Sequence, residues 1–315
     1  MGSNERAEAA VLPRHVLAWA SSQAGERACV TRVTPLQGGI SSAVYALEVC
    51  REAEEEPLYW VMRQFTDMEW LKEEPDVARH ETAALKAAQA AGQPSPRWIA
   101  ADPDGDSCGL PTVLMTRLPG RVVLPPKAPS ASWITGLAAV LAGLHQAKTE
   151  PMEKNYFTYN QVDRLQVPGW TSKPSAWAKV IECVQAPPPA YVPRLIHRDY
   201  HPANVLWQED RVSGVVDWVN ACRGPAGIDT GHCRVNLVQL YGTETADAFL
   251  EAYLKSAPEL AETAHPYWDM LTLIEWLPGP PGIYKGWTDL GFSGLTEELV
   301  ESRLDEYAEL LARKA

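Results

Sequence analysis

The chain has 315 residues, of which 46% are hydrophobic and 22% charged, and its formal net charge is -12. This composition excludes a wholly disordered or collagen-like chain, and the length is sufficient for two domains. The acidic balance argues against nucleic acid or an anionic membrane surface as a partner. The six cysteines form no C-x-x-C pair, and the N-terminus shows no secretory h-region. We therefore expect a cytoplasmic protein with reduced thiols, either a monomer or a homodimer, without a membrane span.

The first 120 residues carry the period-2 patterns of β-strands more often than helical ones. A short amphipathic helix is predicted within residues 1–30, and a longer helix follows the third strand and ends at Gly92. The predicted strands and this longer helix are, in chain order, Val30–Leu36, Ala43–Cys50, Leu58–Phe65, the helix Asp76–Ala91, Arg97–Ala101 and Pro111–Arg117. The sequence therefore predicts a five-stranded antiparallel sheet with one helix.

A proline-rich segment, residues 119–130, separates this region from the rest of the chain. Such a segment continues neither a helix nor a central strand, so we place a lobe boundary there, with lobes 1–119 and 120–315. Beyond it the periodicity is mainly helical, and only Leu206–Trp218 resembles a hairpin. The predicted helices are Ser132–Lys148, Pro174–Val184, Thr243–Ser256, His265–Trp276 and Thr296–Arg313. The expected fold class is thus α+β, with a mainly helical C-terminal lobe.

The strongest chemical signal is the segment LIHRDYHPANVLWQEDRVSGVVDW. It contains Asp199, then Asn204 five residues later, then a predicted hairpin that ends at Asp217. Phosphoryl transfer requires a carboxylate to accept the proton of the attacking hydroxyl and oxygen ligands to hold Mg²⁺ against the phosphates. An H-R-D triplet alone occurs by accident, and an Asn before a strand is an ordinary turn residue. The ordered set between apolar strands favours function over coincidence.

This segment, HRDYHPANVLW followed by VVDWVNACRGPAGID, resembles the catalytic and metal-binding segments of the aminoglycoside phosphotransferase family, which is related to the protein kinases. The resemblance covers about residues 30–310 and implies a protein-kinase-like two-lobe fold. It further implies that Asp199 is the catalytic base, that Asn204 and Asp217 are Mg²⁺ ligands, and that ATP or GTP is the phosphoryl donor. Protein kinases carry D-F-G where this chain has Asp217-Trp218-Val219, which favours the small-molecule branch.

A glycine-rich segment between the first two predicted strands is similar to the phosphate loop of that family. Its candidate nucleotide-binding residues are Gly38, Gly39, Ser41 and Ser42. Glycines allow the backbone to approach phosphate closely, and N–H groups and hydroxyls can then meet phosphate oxygens. Taken alone, Gly-Gly between two strands is usually just a turn.

Arg63 stands where the family carries a basic residue on the third strand, usually a lysine. Arginine can also bind phosphate, and in a bidentate manner. By resemblance its partner is Glu81 on the following helix, although a helical carboxylate can equally be a solvated surface group. Lys72 is a poorer substitute for Arg63, because it follows the strand.

Residues 116–120 resemble the family's hinge, whose backbone groups bind the purine, and we expect Thr116 and Leu118 to contribute through their backbone alone. Five apolar residues are expected to sandwich the base, although each would be an ordinary core residue otherwise. They are Leu36, Val44, Val61, Leu206 and Val216.

Several further polar residues receive structural roles at this stage. We expect His197 to orient the catalytic loop, His201 to hydrogen-bond backbone within the loop, and His145 to pack at a helix end. Asp229 resembles the family aspartate that holds the backbone of the catalytic loop in place.

The acceptor site is expected in the C-terminal lobe, where aromatic and acidic residues lie close together in sequence. The candidates are Trp268, Asp269, Glu275 and Trp287. Aromatic faces and carboxylates suit a cationic or sugar-like ligand, but a helix must also bury its tryptophans somewhere.

Three functions stay open on the sequence. The first is a kinase of a small-molecule hydroxyl, of the antibiotic-resistance type or a metabolic type such as a choline, homoserine or thiosugar kinase. The second is a nucleotide-binding regulatory pseudokinase, for which Arg63 in place of lysine is the only hint. The third is a protein kinase, which the Asp217-Trp218 dipeptide disfavours.

Overall fold

The computed structural model describes residues 12–36, 42–52, 56–147 and 152–315. The chain divides into two compact units, the first formed by residues up to Lys86 and by Pro96–Arg117, the second by Ala87–Ser95 and Leu118–Ala315. The lobe boundary that the sequence places near residue 120 stays a prediction. Within the described ranges, no helix is both long and apolar enough to cross a bilayer.

The first unit is built on a five-stranded antiparallel sheet, as the alternating pattern predicts. The elements are α1 (Arg14–Ser22), β1 (Ala28–Leu36), β2 (Ser42–Arg51), β3 (Leu58–Phe65), α2 (Met68–Glu73), α3 (Val77–Ala90), β4 (Trp98–Asp102) and β5 (Thr112–Thr116). The strand order is β1-β2-β3-β5-β4. The short helix α2 was not predicted, and it is capped by Asp67, whose carboxylate accepts hydrogen bonds from the N–H groups of Glu69 and Trp70.

The two faces of this sheet have different roles. Leu47 of β2 pairs with Trp60 of β3, and both are buried in a core that also contains Val16 and Ala20 of α1. Because side chains alternate along a strand, the residues next to Leu47 and Trp60 in sequence point to the opposite face of the sheet. Val44, which lies opposite Arg63 in the ladder, belongs to that second face.

The second unit is mainly helical, with two small antiparallel sheets. Its elements are β6 (Arg121–Val122), α4 (Ala131–Gln146), α5 (Pro174–Gln185), β7 (Pro193–Ile196), β8 (Val205–Gln208), β9 (Arg211–Val215), β10 (Cys222–Pro225), α6 (Gly227–Tyr241), α7 (Thr243–Ser256), α8 (Pro266–Leu273), α9 (Lys285–Asp289) and α10 (Glu297–Ala312). One sheet has the order β6-β8-β9 and the other pairs β10 with β7. The prediction of a single hairpin was therefore incomplete, because β7 and β10 pair at long range and are four residues each.

Helix α6 is the buried centre of the second unit and was not predicted. It packs against α7, α8 and α10. Its approach to α8 depends on glycine, because a Cβ atom on Gly231 would lie 2.7 Å from Thr272 Oγ1 and 2.9 Å from the Trp268 carbonyl oxygen. Gly227 is covered in the same way by the indole of Trp268. This close packing fixes the position of the polar residues that α6 carries.

Candidate active site

The loop between β7 and β8 is held at its start by one buried carboxylate. Asp229, in the first turn of α6, accepts hydrogen bonds from the backbone N–H of His197 at 2.7 Å and of Arg198 at 2.6 Å. His145 Nε2 lies 3.0 Å from the same carboxylate, and His145 Nδ1 lies 2.8 Å from the hydroxyl of Tyr253. Asp229 therefore has the structural role expected for it, and His145 supports it rather than merely packing.

The residues on either side of Asp199 are also anchored. Arg198 has a φ of 67°, in the left-handed region that costs a non-glycine residue energy. Its guanidinium donates to the carbonyl of Phe157 at 2.6 Å and lies over the rings of Phe157 and Tyr159. On the other side, the hydroxyl of the buried Tyr200 donates to the Leu137 carbonyl at 2.7 Å. The carboxylate between them is thus presented from a loop fixed at both ends.

Asp199 and Asn204 contact each other within this loop. The Nδ2 of Asn204 donates to the Asp199 carbonyl at 2.9 Å and lies 3.1 Å from Asp199 Oδ2. The carbonyl of Asn204 in turn accepts from the N–H of Val216 at 2.9 Å, which connects the loop to the residue before Asp217. Asp217 itself has a φ of 67°. Side-chain and backbone hydrogen bonds thus connect Asp199, Asn204 and the residue before Asp217.

The donor set of this region fits a hard divalent cation. Since Asn204 uses its Nδ2 toward Asp199, its Oδ1 is the side-chain atom left for a metal, and Asp217 supplies carboxylate oxygens. Mg²⁺ typically takes one or two protein oxygen ligands and completes its shell with phosphates and water. In the part of the chain that the structure describes, no cluster of three or more His, Cys, Asp or Glu side chains could hold a metal ion.

His232, which the sequence reasoning did not select, is bound between two carboxylates. Its Nε2 lies 3.2 Å from Asp199 Oδ1, and its Nδ1 lies 3.4 Å from Glu275 Oε2. The side chains of Asp199 and Glu275 are 31% and 38% exposed, whereas that of His232 is 18% exposed. His232 comes one turn after Asp229 on α6, so the same helix contacts the loop backbone and the side chain of Asp199.

These contacts separate the protonation states of the two nearby histidines. Burial alone would lower the pKa of His232, but hydrogen bonds to Asp199 and Glu275 raise that pKa to about 10. Burial lowers the pKa of His201 to about 4, although the charge of Asp199 acts in the opposite direction. Burial would also raise the pKa of Asp199, but the His232 hydrogen bond and the neighbouring histidines hold that pKa well below its usual range. At neutral pH the site thus contains an aspartate, an imidazolium and a neutral imidazole.

His197 and His201 have different surroundings from each other. His197 Nε2 lies 2.9 Å from the carbonyl of Val216, which agrees with a role in orienting the loop. His201 was expected to hydrogen-bond backbone, and this was wrong for Nδ1, a buried atom without a hydrogen-bond partner among the described residues. Its Nε2 lies 3.8 Å from Asp199 Oδ1, and its ring contacts that of Tyr284.

In the first unit, the predicted pairing of Arg63 with Glu81 is confirmed. Arg63 Nε lies 3.2 Å from Glu81 Oε1, and the Glu81 side chain is only 1% exposed. Arg63 Nη1 also donates to the hydroxyl of Ser42 at 3.4 Å. Lys72 instead pairs with the exposed Glu69. Gly38, Gly39 and Ser41, the other candidates from the glycine-rich segment, lie outside the described residues.

The candidate purine-binding residues are half-buried in their respective units. Leu36, Val44 and Val61 belong to the first unit, and Leu206 and Val216 to the second. The N–H of Thr116 donates to the Arg97 carbonyl at 2.9 Å, so this group is already used within the sheet. Leu118 packs its side chain against Gly214. Purine binding by these residues stays a prediction. At Thr116 the group expected to bind the purine is the backbone carbonyl, because the N–H is used within the sheet.

The expected acceptor residues do not form one surface, and two of them belong to the core. Trp268 is buried, its ring packed on Gly227 and in contact with that of Tyr191. Asp269 is buried against the guanidinium of Arg234, which also bonds Asp247 at 2.5 Å. A side chain whose surface is used in helix packing or in a buried ion pair has little left for a ligand. We therefore remove Trp268 and Asp269 from the candidate acceptor site.

Glu275 and Trp287 occupy different positions relative to Asp199. Glu275 follows α8 in a short 3-10 helix and is connected to Asp199 through His232. Trp287 is buried in an apolar cluster with Leu240 and Phe292. Its ring contacts that of Tyr284, which reaches His201. Glu275 thus stays next to the candidate site. Trp287 lies in the core and is connected to the site only through the ring of Tyr284.

A family model described as the phosphotransferase enzyme family matches residues 32–270. Homoserine kinase from Methylorubrum populi is 26% identical over 208 residues, which cover 56% of this chain and 62% of that enzyme. The match to this curated relative thus spans less than two thirds of its length.

Solved structures at low sequence identity share the fold. A thermostable mutant of aminoglycoside phosphotransferase APH(4)-Ia, in ternary complex with AMP-PNP and hygromycin B, superposes with a TM-score of 0.57 at 14% identity, covering 91% of this chain and 95% of that one. The amicoumacin kinase hAmiN, in complex with AMP-PNP, Ca²⁺ and Ami, gives a TM-score of 0.56 at 14% identity, covering 88% and 87%. The likeness establishes a protein-kinase-like fold.

Proposed function

Because the chain belongs to the phosphotransferase enzyme family, we propose that it is a kinase that transfers the γ-phosphate of ATP or GTP to a hydroxyl of a small molecule. The observation that carries this proposal is the contact of Asp199 with Asn204. The carbonyl of Asn204 accepts a hydrogen bond from the N–H of Val216, the residue before Asp217. A carboxylate base and one oxygen ligand in the loop before β8, with a second ligand directly after β9, match what phosphoryl transfer requires.

In this proposal Asp199 orients the acceptor hydroxyl and receives its proton as the bond to phosphorus forms. The low pKa of Asp199 keeps it ionised at neutral pH, which makes it a weak base but a constant hydrogen-bond acceptor. Weak basicity suits a loose transition state, in which the hydroxyl loses its proton late. The fixed loop supplies the orientation, and orientation accounts for a large share of the rate in such reactions.

Mg²⁺, when bound by Asn204 and Asp217, would neutralise charge on the transferred phosphate oxygens. Asn204 then has two tasks, since its Nδ2 restrains Asp199 while its Oδ1 is the metal ligand. We assign Arg63 to the α- and β-phosphates, with Glu81 fixing the direction of its guanidinium.

The acceptor class is proposed to be a hydroxyl compound that carries an amine or sugar group. Two carboxylates, Asp199 and Glu275, contact the imidazolium of His232, so these three groups together carry one net negative charge. Such a site attracts an ammonium group. Homoserine and amino alcohols, aminoglycosides and other sugar-containing antibiotics belong to this class.

The experiment is Mg²⁺-dependent release of ADP or GDP with a panel of homoserine, amino alcohols, aminoglycosides, macrolides and sugars, run beside Asp199→Asn. This variant keeps the shape of the side chain and removes the base. Turnover that an acceptor stimulates and that Asp199→Asn loses supports the proposal and identifies the acceptor. Nucleotide binding without turnover for any acceptor, with the same result for both proteins, would contradict it and favour a pseudokinase.

A further inference from the structure

We propose that His232 is a positioning residue for the catalytic carboxylate, held in place by Glu275, so that Asp199, His232 and Glu275 act as one unit. This inference rests on the proposed function. Its basis is that His232 contacts Asp199 through one ring nitrogen at 3.2 Å and Glu275 through the other at 3.4 Å.

The two hydrogen bonds define what the ring does. Both nitrogens face carboxylate oxygens, and a carboxylate accepts but does not donate, so both nitrogens carry a proton. The raised pKa of His232 agrees with this doubly protonated ring. With Nε2 bound to Asp199 Oδ1 and Asn204 Nδ2 bound to Oδ2, each oxygen of Asp199 has its own donor. The rotation of the carboxylate is therefore restrained from both sides.

A purely structural role would place these groups differently. The backbone of the loop is already held by Asp229, which is fully buried, together with His145. Asp199 and Glu275 are each about one third exposed, so water could satisfy both of them without His232. The contact thus adds little to holding the loop, and its evident consequence is the orientation of the Asp199 side chain.

The groups around His232 come from several elements. Asp199 and His201 lie on the loop before β8, with the His201 ring centroid 5.9 Å from that of His232, and Glu275 follows α8. His201 is neutral at the pH where His232 is charged, because its pKa is lowered to about 4. The imidazolium therefore meets two carboxylates and no second cation among these neighbours.

Two substitutions of His232 separate its two hydrogen bonds. In His232→Gln the side-chain amide can reach the position of Nε2 and donate to Asp199, whereas in His232→Asn it can reach only the position of Nδ1 and donate to Glu275. We expect kcat to fall about 100-fold in His232→Asn, as for a misplaced catalytic group, and to stay within about tenfold of wild type in His232→Gln. The KM for nucleotide should change little in either variant. Equal kcat losses in both variants, or no loss in either, would overturn the proposal.

Glu275→Gln supplies the second comparison, because its amide oxygen still accepts from Nδ1 while its charge is lost. If Glu275 holds the ring, kcat falls less in Glu275→Gln than in Glu275→Ala. This holds for every acceptor and also for hydrolysis of the nucleotide by water. An increase in KM that is confined to amine acceptors, with kcat unchanged in both variants, would mean that Glu275 serves the acceptor directly and would overturn its role in the unit.

A readout without turnover separates this inference from the proposed function. In protein with ¹⁵N-labelled histidine, we expect the His232 ring, assigned by its loss in His232→Gln, to show two protonated nitrogens at pH 8. The Asp199→Asn variant should return the ring toward a neutral form. A neutral wild-type ring at pH 8 would contradict the geometry, whether or not the protein is a kinase. A protonated ring in a protein without turnover would instead contradict the proposed function alone.

Discussion

The carboxylate of Asp229 accepts a hydrogen bond of 2.6 Å from the backbone N–H of Arg198, a residue in the left-handed region of φ. This bond holds in place the peptide that precedes Asp199. It also compensates a backbone conformation that a non-glycine residue adopts only at a cost.

Asp229→Asn should therefore destabilise the protein and disorder the loop between β7 and β8. An asparagine offers one acceptor where the two N–H groups and His145 need more, so we expect a loss of about 2–4 kcal/mol in the free energy of unfolding. Chemical denaturation at pH 7 measures it. Asp104→Asn is the matched control, because Asp104 is an exposed carboxylate paired with Arg79. Equal stability of the two variants would show that Asp229 does not hold the loop.

Glu81→Gln should weaken nucleotide binding and stability together. It removes the buried carboxylate that Arg63 Nε contacts at 3.2 Å, at a cost of about 2–4 kcal/mol in the free energy of unfolding. Arg63→Lys, which keeps the charge, should retain nucleotide affinity better than Arg63→Met, by about tenfold in Kd for a phosphate contact. Isothermal titration of the three variants with Mg²⁺-ATP and Mg²⁺-GTP measures the affinity, and chemical denaturation of Glu81→Gln measures the stability. Unchanged affinity in Arg63→Met would remove Arg63 from the site.

Asp269→Asn should affect stability and leave acceptor recognition unchanged. The substitution removes the negative charge that faces the buried guanidinium of Arg234. We expect a loss of about 3–5 kcal/mol in the free energy of unfolding. The KM for whichever acceptor the panel identifies should stay the same in the folded fraction. A raised KM without a loss of stability would return Asp269 to the acceptor site.

The stability that His232 contributes should depend on pH in one direction. Its folded pKa is raised from 6.5 to about 10, so the contribution is fully present below pH 6.5 and is lost as the pH rises through 10. At pH 6.5 wild type should exceed His232→Gln by about 1–2 kcal/mol, a value reduced because both carboxylates are partly exposed. Denaturation of both proteins from pH 6.5 to 10 measures the difference. A difference that grows with pH would contradict the charged contact.

The elements that the sequence predicted well are those with a local signal. The strands β1, β2 and β3 alternate because one face is buried against α1, and Thr243–Ser256 was predicted with its observed bounds. Asp199 and Asn204 were found because they lie five positions apart in one loop. The partner of Arg63 was found by resemblance, since no local pattern connects it to Glu81.

Helix α6 escaped prediction because nearly all of its side chains are buried. A helix surrounded on every side shows no apolar stripe, and its start has no side-chain cap. The contact of His232 with Asp199 was not predicted either, because this contact joins two distant parts of the chain. The spacing of Asp229 and His232, three apart and so on one face of a helix, was the available signal.

Gly231, immediately before His232, has consequences for the chemistry as well as for packing. A methyl group there would press on the α8 backbone at Trp268 and shift α6 by a fraction of an ångström. Asp229 and His232 would move with the helix, and the loop and the carboxylate they hold would follow. The orientation of Asp199 thus depends on the contact between two helices, and under the proposed function a change in the core would alter kcat without altering any reacting group.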